Sequence, residues 1–487
     1  MKLERLPVEL ISQICSILCL HCHAPHVFPH ADTEEARAGK RALSRLSRMS
    51  QRMRAIAQPF VFHYYASSNM PVMLAPINLV TEQNSAATTV LRPGNDRLPF
   101  FLGSILSRPD LASRVRALQL FWPNSEAVHQ NPDALLKQAA DRLGLDLGFE
   151  AGLMTQRHAK CAHHCLRHVA ILLCPNVSKL LLPGDFFSSF GGSICPKSGR
   201  TLPSLQTVGL VPAHGVTLGG VDRFLSACAP NVESLHVARL ASTNFPYVGM
   251  SDPRPRWGVT TLRNIRRLVV NNIGPRGLLF MMHSCPQISD LQYTHHGLSR
   301  ANLHSSGSIE QCRLVMQAIG PLHKTLRRLS LVVMHNGDPR GTLLDHPAID
   351  SLRHFEKLET LAINQAHIYP YSSTPPPRGR GLLDLLPRSI RDVQFLHVCR
   401  DFGNDLEVLV REAPKELPHL QSLRVSLYPL GEADADPEDM FPLDPDWVES
   451  MEGHCEAAGI SWGWERGSPV GFCGGDSFPG ETILWPS

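Results

Sequence analysis

Residues 202–210 read Leu202-Pro203-Ser204-Leu205-Gln206-Thr207-Val208-Gly209-Leu210, and residues 229–237 read Ala229-Pro230-Asn231-Val232-Glu233-Ser234-Leu235-His236-Val237. Both stretches carry one pattern: a proline-containing break, then apolar-x-x-apolar-x-apolar. Proline followed by Ser or Asn favours a tight turn. The last two apolar positions are two residues apart, so on an extended chain they point to one side. The pattern spells a turn followed by a short strand with one apolar face.

Working outward, the same spacing returns at Val115-Leu118-Leu120, Val177-Leu180-Leu182, Ile265-Leu268-Val270, Ile288-Leu291-Tyr293, Leu326-Leu329-Leu331, Leu358-Leu361-Ile363, Ile390-Val393-Phe395 and Leu420-Leu423-Val425. The middle residues follow one another at 23 to 38 residues, with one step of 62 between Leu118 and Leu180. That step is about two periods, which predicts a lost copy or an insertion near residues 130–170. Breaks of the same kind stand at Cys174-Pro175-Asn176, Cys285-Pro286-Gln287 and Leu417-Pro418-His419. Helical runs precede several breaks, at residues 221–227, 278–283, 314–319 and 406–411. Helix, break and strand repeating about every 30 residues is the mark of a stacked repeat array. One unit cannot bury its own apolar face, and stacking supplies a continuous core. The expected fold class is α/β, an irregular solenoid over residues 111–430.

The whole chain agrees with this. At 487 residues it is too long for one compact core. Its 39 prolines and 35 glycines predict many turns and few long helices. A formal net charge of +3 gives no pull towards nucleic acid or a membrane surface. No run has the length to span a bilayer, and Glu4, Arg5, Glu9 and Gln13 interrupt the apolar residues a secretory leader would need. The 13 cysteines are scattered rather than paired in a framework, which fits buried thiols in a reducing compartment. The expectation is an intracellular protein, cytoplasmic or nuclear, binding neither nucleic acid nor membrane.

The N-terminus is different in kind. Residues 6–20 read LPVELISQICSILCL, with Leu6, Leu10, Ile14 and Ile17/Leu18 at helical spacing. Pro7 suits a helix start and Glu9 the positive end of the helix dipole. Residues 39–58 form a second helical run, in which Leu43, Leu46, Met49, Met53, Ile56 and Phe60 make a stripe and Pro59 marks the end. Lys40, Arg41, Arg45, Arg48, Arg52 and Arg54 lie opposite and read as a solvated face. So short a pair of helices buries too little to stand alone, and an apolar stripe left over would call for a partner.

These residues carry a resemblance. Leu6-Pro7-Val8-Glu9-Leu10-Ile11 resembles the opening of an F-box, and Leu46-Ser47-Arg48-Met49-Ser50-Gln51-Arg52-Met53-Arg54-Ala55-Ile56-Ala57 is similar to its second half. The match covers residues 4–65. Residues 19–38 separate the halves, a layout similar to fungal F-box proteins with a His/Cys-containing insert. The resemblance implies that Leu6, Pro7, Leu10, Ile14, Leu46 and Met49 form or support a surface docking on a Skp-type adaptor. The repeats resemble leucine-rich repeats, but the usual Asn or Cys three residues past the strand is replaced by Leu240, Ile273, His296, Met334 and Ala366. The expected plan is an F-box-like hook (1–66), a linker (67–110), the repeats (111–430) and an acidic loop, capping helix and tail (431–487).

The remaining chemistry is sparse. Cys19-x2-Cys22-x3-His26-x3-His30 places four zinc-competent ligands in twelve residues. The spacing is tighter than a standard finger and no second C-x2-C follows, so the insert reads as a polar loop with these as weak metal candidates and no cofactor expected. Cys161-x3-Cys165 with His158, His163, His164 and His168 lies on a helical run and reads as a surface cluster. Gly475-Asp476-Ser477-Phe478 has Phe where a serine nucleophile turn needs glycine. Gly-rich phosphate loops and H-E-x-x-H are missing, so no catalytic role is expected. Middle strand residues His236, Gln292, Ser330, Gln394 and Arg424 would face the concave side and touch a substrate. The resemblance implies a non-catalytic substrate receptor of a Skp–cullin–F-box ubiquitin ligase with an unknown protein target; the alternative is a ligase-independent interaction scaffold.

Overall fold

The computed structural model describes residues 3–23, 34–66, 98–120, 132–145, 158–183, 199–211, 218–238, 262–271, 273–296, 314–334, 349, 351–365, 368, 381–396, 398, 402–427 and 445–466. They form two compact units, the first ending at Asn264 and the second beginning at Ile265. The His26/His30 half of the insert, the Pro-rich, basic run Ser373–Arg380, most of the acidic stretch 432–446 and Gly475–Phe478 lie outside the described residues.

The first unit opens with four helices: α1 (Val8–Leu18), α2 (Leu20–His23), α3 (Glu34–Met49) and α4 (Gln51–Phe62). Ile11, Cys15, Cys19, Leu43, Met53 and Ala57 make their core, with Leu46, Ile56, Phe60 and Val61 packed at its edge. The single helical run expected at residues 39–58 is two helices. Ser50 takes an extended conformation and its Oγ accepts the Met53 N–H at 3.2 Å, capping α4. Pro59 does not end α4, which runs on to Phe62. Phe60 and Val61 pack on the hook core and offset the hydrogen bond that proline removes.

The strands follow at the predicted places. In the first unit β1 (Tyr64–Ala66), β2 (Ala117–Gln119), β3 (Lys179–Pro183), β4 (Thr207–Val211) and β5 (Ser234–Ala238) pair in chain order, all parallel. In the second, β6 (Arg267–Asn271), β7 (Asp290–His296), β8 (Arg328–Met334), β9 (Thr360–Asn364), β10 (Asp392–Leu396), β11 (Ser422–Leu427) and β12 (Ser461–Arg466) do the same. The middle residue of each sequence copy stands in one row: Tyr65, Leu118, Leu180, Val208 and Leu235 in the first unit. In the second the row is Leu268, Leu291, Leu329, Leu361, Val393, Leu423 and Trp462. All ten predicted copies are rungs; β1 and β12 are additional ones.

The turns explain the repeated proline. Val177, Leu205, Val232 and Leu420 each donate an N–H to the carbonyl three residues earlier, at 3.0–3.3 Å, with proline at the second turn position. One carbonyl per rung then takes two N–H groups from the next. The first of this column is His63, accepting from Arg116 and Ala117 at 2.8 and 3.0 Å, and Arg116 accepts in turn from Ser178 and Lys179. The asparagine ladder missing after the strands reappears before them: Asn176, Asn231 and Asn264 side chains donate to the carbonyls of Ser113, Pro203 and Pro230 at 2.6–2.9 Å.

The 62-residue step is an insertion. β2 pairs directly with β3, and α7 (Pro132–Leu143) and α8 (His158–Leu173) occupy the interval. Helix α5 (Leu98–Ser107) falls in the stretch read as a linker and α6 (Pro109–Ala112) straddles its end; α5 buries Leu98, Phe101, Leu102, Ile105 and Leu106. On α8, Leu166, Val169 and Leu173 are buried, and so are Arg167 and His168, so His168 is no surface residue.

Candidate functional site

Helix α1 carries two apolar stripes. Ile11, Cys15 and Cys19 recur every four residues and face the hook core. Leu10, Ile14 and Ile17 follow the same helical spacing on another face. Leu10 is 45% and Ile17 63% exposed, and Ile14 is half-buried. Val8 and Met49 are also about half exposed, at 47% and 53%. Of the predicted docking residues, Pro7, Leu10 and Met49 are exposed and Leu6, Ile14 and Leu46 half-buried. Arg52 Nη2 donates to the Leu6 carbonyl at 2.7 Å, holding the start of α1 against α4. Arg41, Arg45, Arg48, Arg52 and Arg54 are exposed as expected. Lys40 is not: its Nζ donates to the Tyr64 carbonyl at 2.8 Å and lies 5.1 and 5.9 Å from the Tyr64 and Tyr65 ring centres.

The strand positions expected to face a substrate divide. His236 stands in the row of Gln119, Leu181 and Gly209. Gln292, Ser330, Gln394 and Arg424 share another with Val269, Ala362 and Gly463. His236, Gln292 and Ser330 are buried, whereas Gln394 and Arg424 are half-buried. Parallel sheets are commonly covered on both faces, and this one buries Val269, Thr294 and Ala362 on the same face. His236 Nε2 lies 3.1 Å from Ser234 Oγ. At the foot of this face Asp290 is buried, with Arg328 Nη2 at 2.7 Å and Arg267 Nε at 3.6 Å. Burial pushes its carboxyl up, and the two guanidiniums pull against that.

A third group was only half visible in the sequence. Cys19, His21, Cys22 and His63 bring two sulfurs and two ring nitrogens within 4.8 Å of one another, the metal-competent group among the described residues. Cys22 Sγ is 3.3 Å from His63 Nδ1 and 3.7 Å from His21 Nδ1, and Cys19 Sγ is 3.9 Å from His63 Nδ1. Cys22 N–H donates to the Cys19 carbonyl at 2.9 Å, which turns both thiols to one side. Cys19 is buried and the other three are half-buried. The hydrogen bond from Cys22 is the main cause that holds the Cys19 thiol below its ordinary value, with His21 and His63 assisting. Holding that proton pushes Cys22 up. Cys174, Cys228, Cys285 and Cys455 are instead raised by burial alone, as inert core thiols are. His63 comes from the far end of α4, 41 residues from Cys22, so no local spacing reveals it.

No family model matches the chain, and no curated protein does. Among solved structures it is similar to the leucine-rich repeat-containing protein LegL7 from Legionella pneumophila, at 12% identity over 77% of this chain and 89% of that one, with a TM-score of 0.33. The class is defined by the chain's own register: parallel single-strand rungs, leucine-rich-repeat-like in pattern, behind a helical hook. No helix of the described residues is long and apolar enough to cross a membrane.

Proposed function

We propose that this chain is a non-catalytic substrate-recognition adaptor of a Skp–cullin–F-box ubiquitin ligase. The hook docks on a Skp-type adaptor and the rungs hold a protein target. The observation that carries the reading is the second stripe of α1. The hook has filled its own core with Ile11, Cys15, Leu43 and Met53, yet Leu10 and Ile17 stay exposed. Apolar side chains at i, i+4 and i+7 on an exposed helix face are the form a helix-in-groove contact takes. They coincide with the residues that resemble an F-box opening. Gln394 and Arg424, being half-buried, are the strand residues best placed to contribute to target contact.

The test is co-purification of the full chain with a Skp-type adaptor, beside a Leu10→Asp/Ile17→Lys variant. Both substitutions lie on the exposed face and suit their ends of the helix dipole, so the variant should fold, which its melting curve checks. Stoichiometric capture by the parent chain, lost in the variant, is the expected result. A folded parent chain that captures no adaptor overturns the ligase role and favours the ligase-independent scaffold.

A further inference from the structure

We propose that Cys19, His21, Cys22 and His63 bind one zinc ion, which staples the end of α1 to the end of α4 and so to the first strand rung. The geometry comes from backbone already in place. A tetrahedral zinc with bonds of about 2.3 Å to sulfur and about 2.0–2.1 Å to nitrogen sets its sulfur and nitrogen ligands roughly 3.6 Å apart. The three sulfur–nitrogen distances, 3.3, 3.7 and 3.9 Å, straddle that value. Only small side-chain shifts separate the group from a closed shell.

The donor set also fits. Two thiols and two imidazoles are the ligand set of structural zinc sites, in which all four positions belong to protein and none is left for substrate. The Cys19 carbonyl takes the Cys22 N–H, so the C-x2-C turn is preformed. On binding, the thiols give up their protons to solvent and both sulfurs coordinate as thiolates.

His63 gives the site its structural meaning. Its side chain would hold the metal, while its carbonyl accepts the Arg116 and Ala117 N–H groups and starts the hydrogen-bond column of the rungs. Its ring is further held by Phe60, with centroids 4.9 Å apart. A metal there ties the helix that carries the exposed stripe to the first strands through one residue. A hook that presents a partner to a target-holding array needs that joint to be stiff.

The experiment is metal analysis of the untagged full chain, expressed with zinc and purified under reducing conditions. One zinc per chain is expected, with loss in Cys19→Ser/Cys22→Ser and in His63→Ala. Cobalt in place of zinc should give the visible bands of a tetrahedral site and a thiolate charge-transfer band. A chelator should lower the melting temperature of the parent chain, and zinc should restore it. Should the variants fail to fold, the cobalt spectrum and the chelator response of the parent chain still decide. A folded parent chain without metal, or one with a Cys19–Cys22 disulfide in its place, overturns the proposal. Loss of zinc in His26→Ala/His30→Ala with retention in His21→Ala overturns the ligand set.

Discussion

The two terminal rungs, β1 and β12, meet the same problem in different ways. A terminal strand exposes an unpaired backbone edge and the last layer of core. At β1 the seal is aromatic and complete: Tyr64 and Tyr65 are 7% and 6% exposed, and Tyr65 stacks on Phe101 at 4.0 Å between ring centres. Lys40 closes the edge by binding the Tyr64 carbonyl. At β12 one helix, Pro445–Ala457, does the work, burying Met451 and Cys455. Trp447 meets Trp462 edge-on at 6.2 Å and its Nε1 donates to Glu407 at 2.9 Å, while Trp464 remains 40% exposed. The C-terminal cap uses its apolar side chains to seal. The N-terminal cap keeps Leu10, Ile17 and Met49 exposed after sealing, and the proposed docking role rests on that surplus.

The contrast breaks first if the two seals prove equal. Tyr65→Ala removes a buried, stacked ring and should cost about 3–5 kcal/mol. Trp464→Ala removes a ring already partly in water and should cost less, about 2–3 kcal/mol. Denaturant unfolding of the full chain, followed by hydrogen exchange at the first and last rungs, measures both. Equal losses would mean that β12 is sealed as tightly as β1.

A smaller effect sharpens the contrast in backbone packing. A Cβ on Gly39 would run into the Leu18 carbonyl oxygen, so α3 reaches the end of α1 only because Gly39 has none. Gly39→Ala should therefore cost about 1–3 kcal/mol. At the other end a Cβ on Gly403 meets only the edge of the Trp447 indole, at 3.1–3.2 Å. That side chain can shift, so Gly403→Ala should cost less. Thermal melts of the two variants check the order, and the reverse order would sink this account of the hook.

The rungs were legible because burial and period coincide. Leu118, Val208, Leu329 and Leu423 all fall where a rhythm of about 30 residues places a strand. β1 and β12 escaped for the same reason inverted: their row residues are Tyr65 and Trp462, which do not read as repeat leucines. The core stripe of α1 was obscured by Cys15 and Cys19, small apolar residues that a count of leucines passes over. Ser50 was readable as an N-cap but sat inside an unbroken apolar period. Cys19 and Cys22 were visible as a pair. His63 was not, since its place beside them depends on how α4 packs against α1. The buried state of His236, Gln292 and Ser330 was equally hidden: alternation tells that two faces differ, not that both are covered.

The smallest expected effect bears on the largest functional claim. Ile11 and Ile17 are both isoleucines on α1, one 1% and the other 63% exposed. Ile11→Ala empties the hook core and should cost about 2–5 kcal/mol. Ile17→Lys touches no core and places a cation at the negative end of the helix, so it should change stability by no more than about 0.5 kcal/mol. The proposed docking requires Ile17 to be apolar, exposed and neutral to stability at once, since an exposed apolar residue alone is ordinary. If Ile17→Lys instead destabilises the chain by as much as Ile11→Ala, the second stripe belongs to the chain's own core and cannot be a docking face. If it leaves the melting temperature in place while removing capture of the adaptor, the stripe is separated from the fold and assigned to the partner.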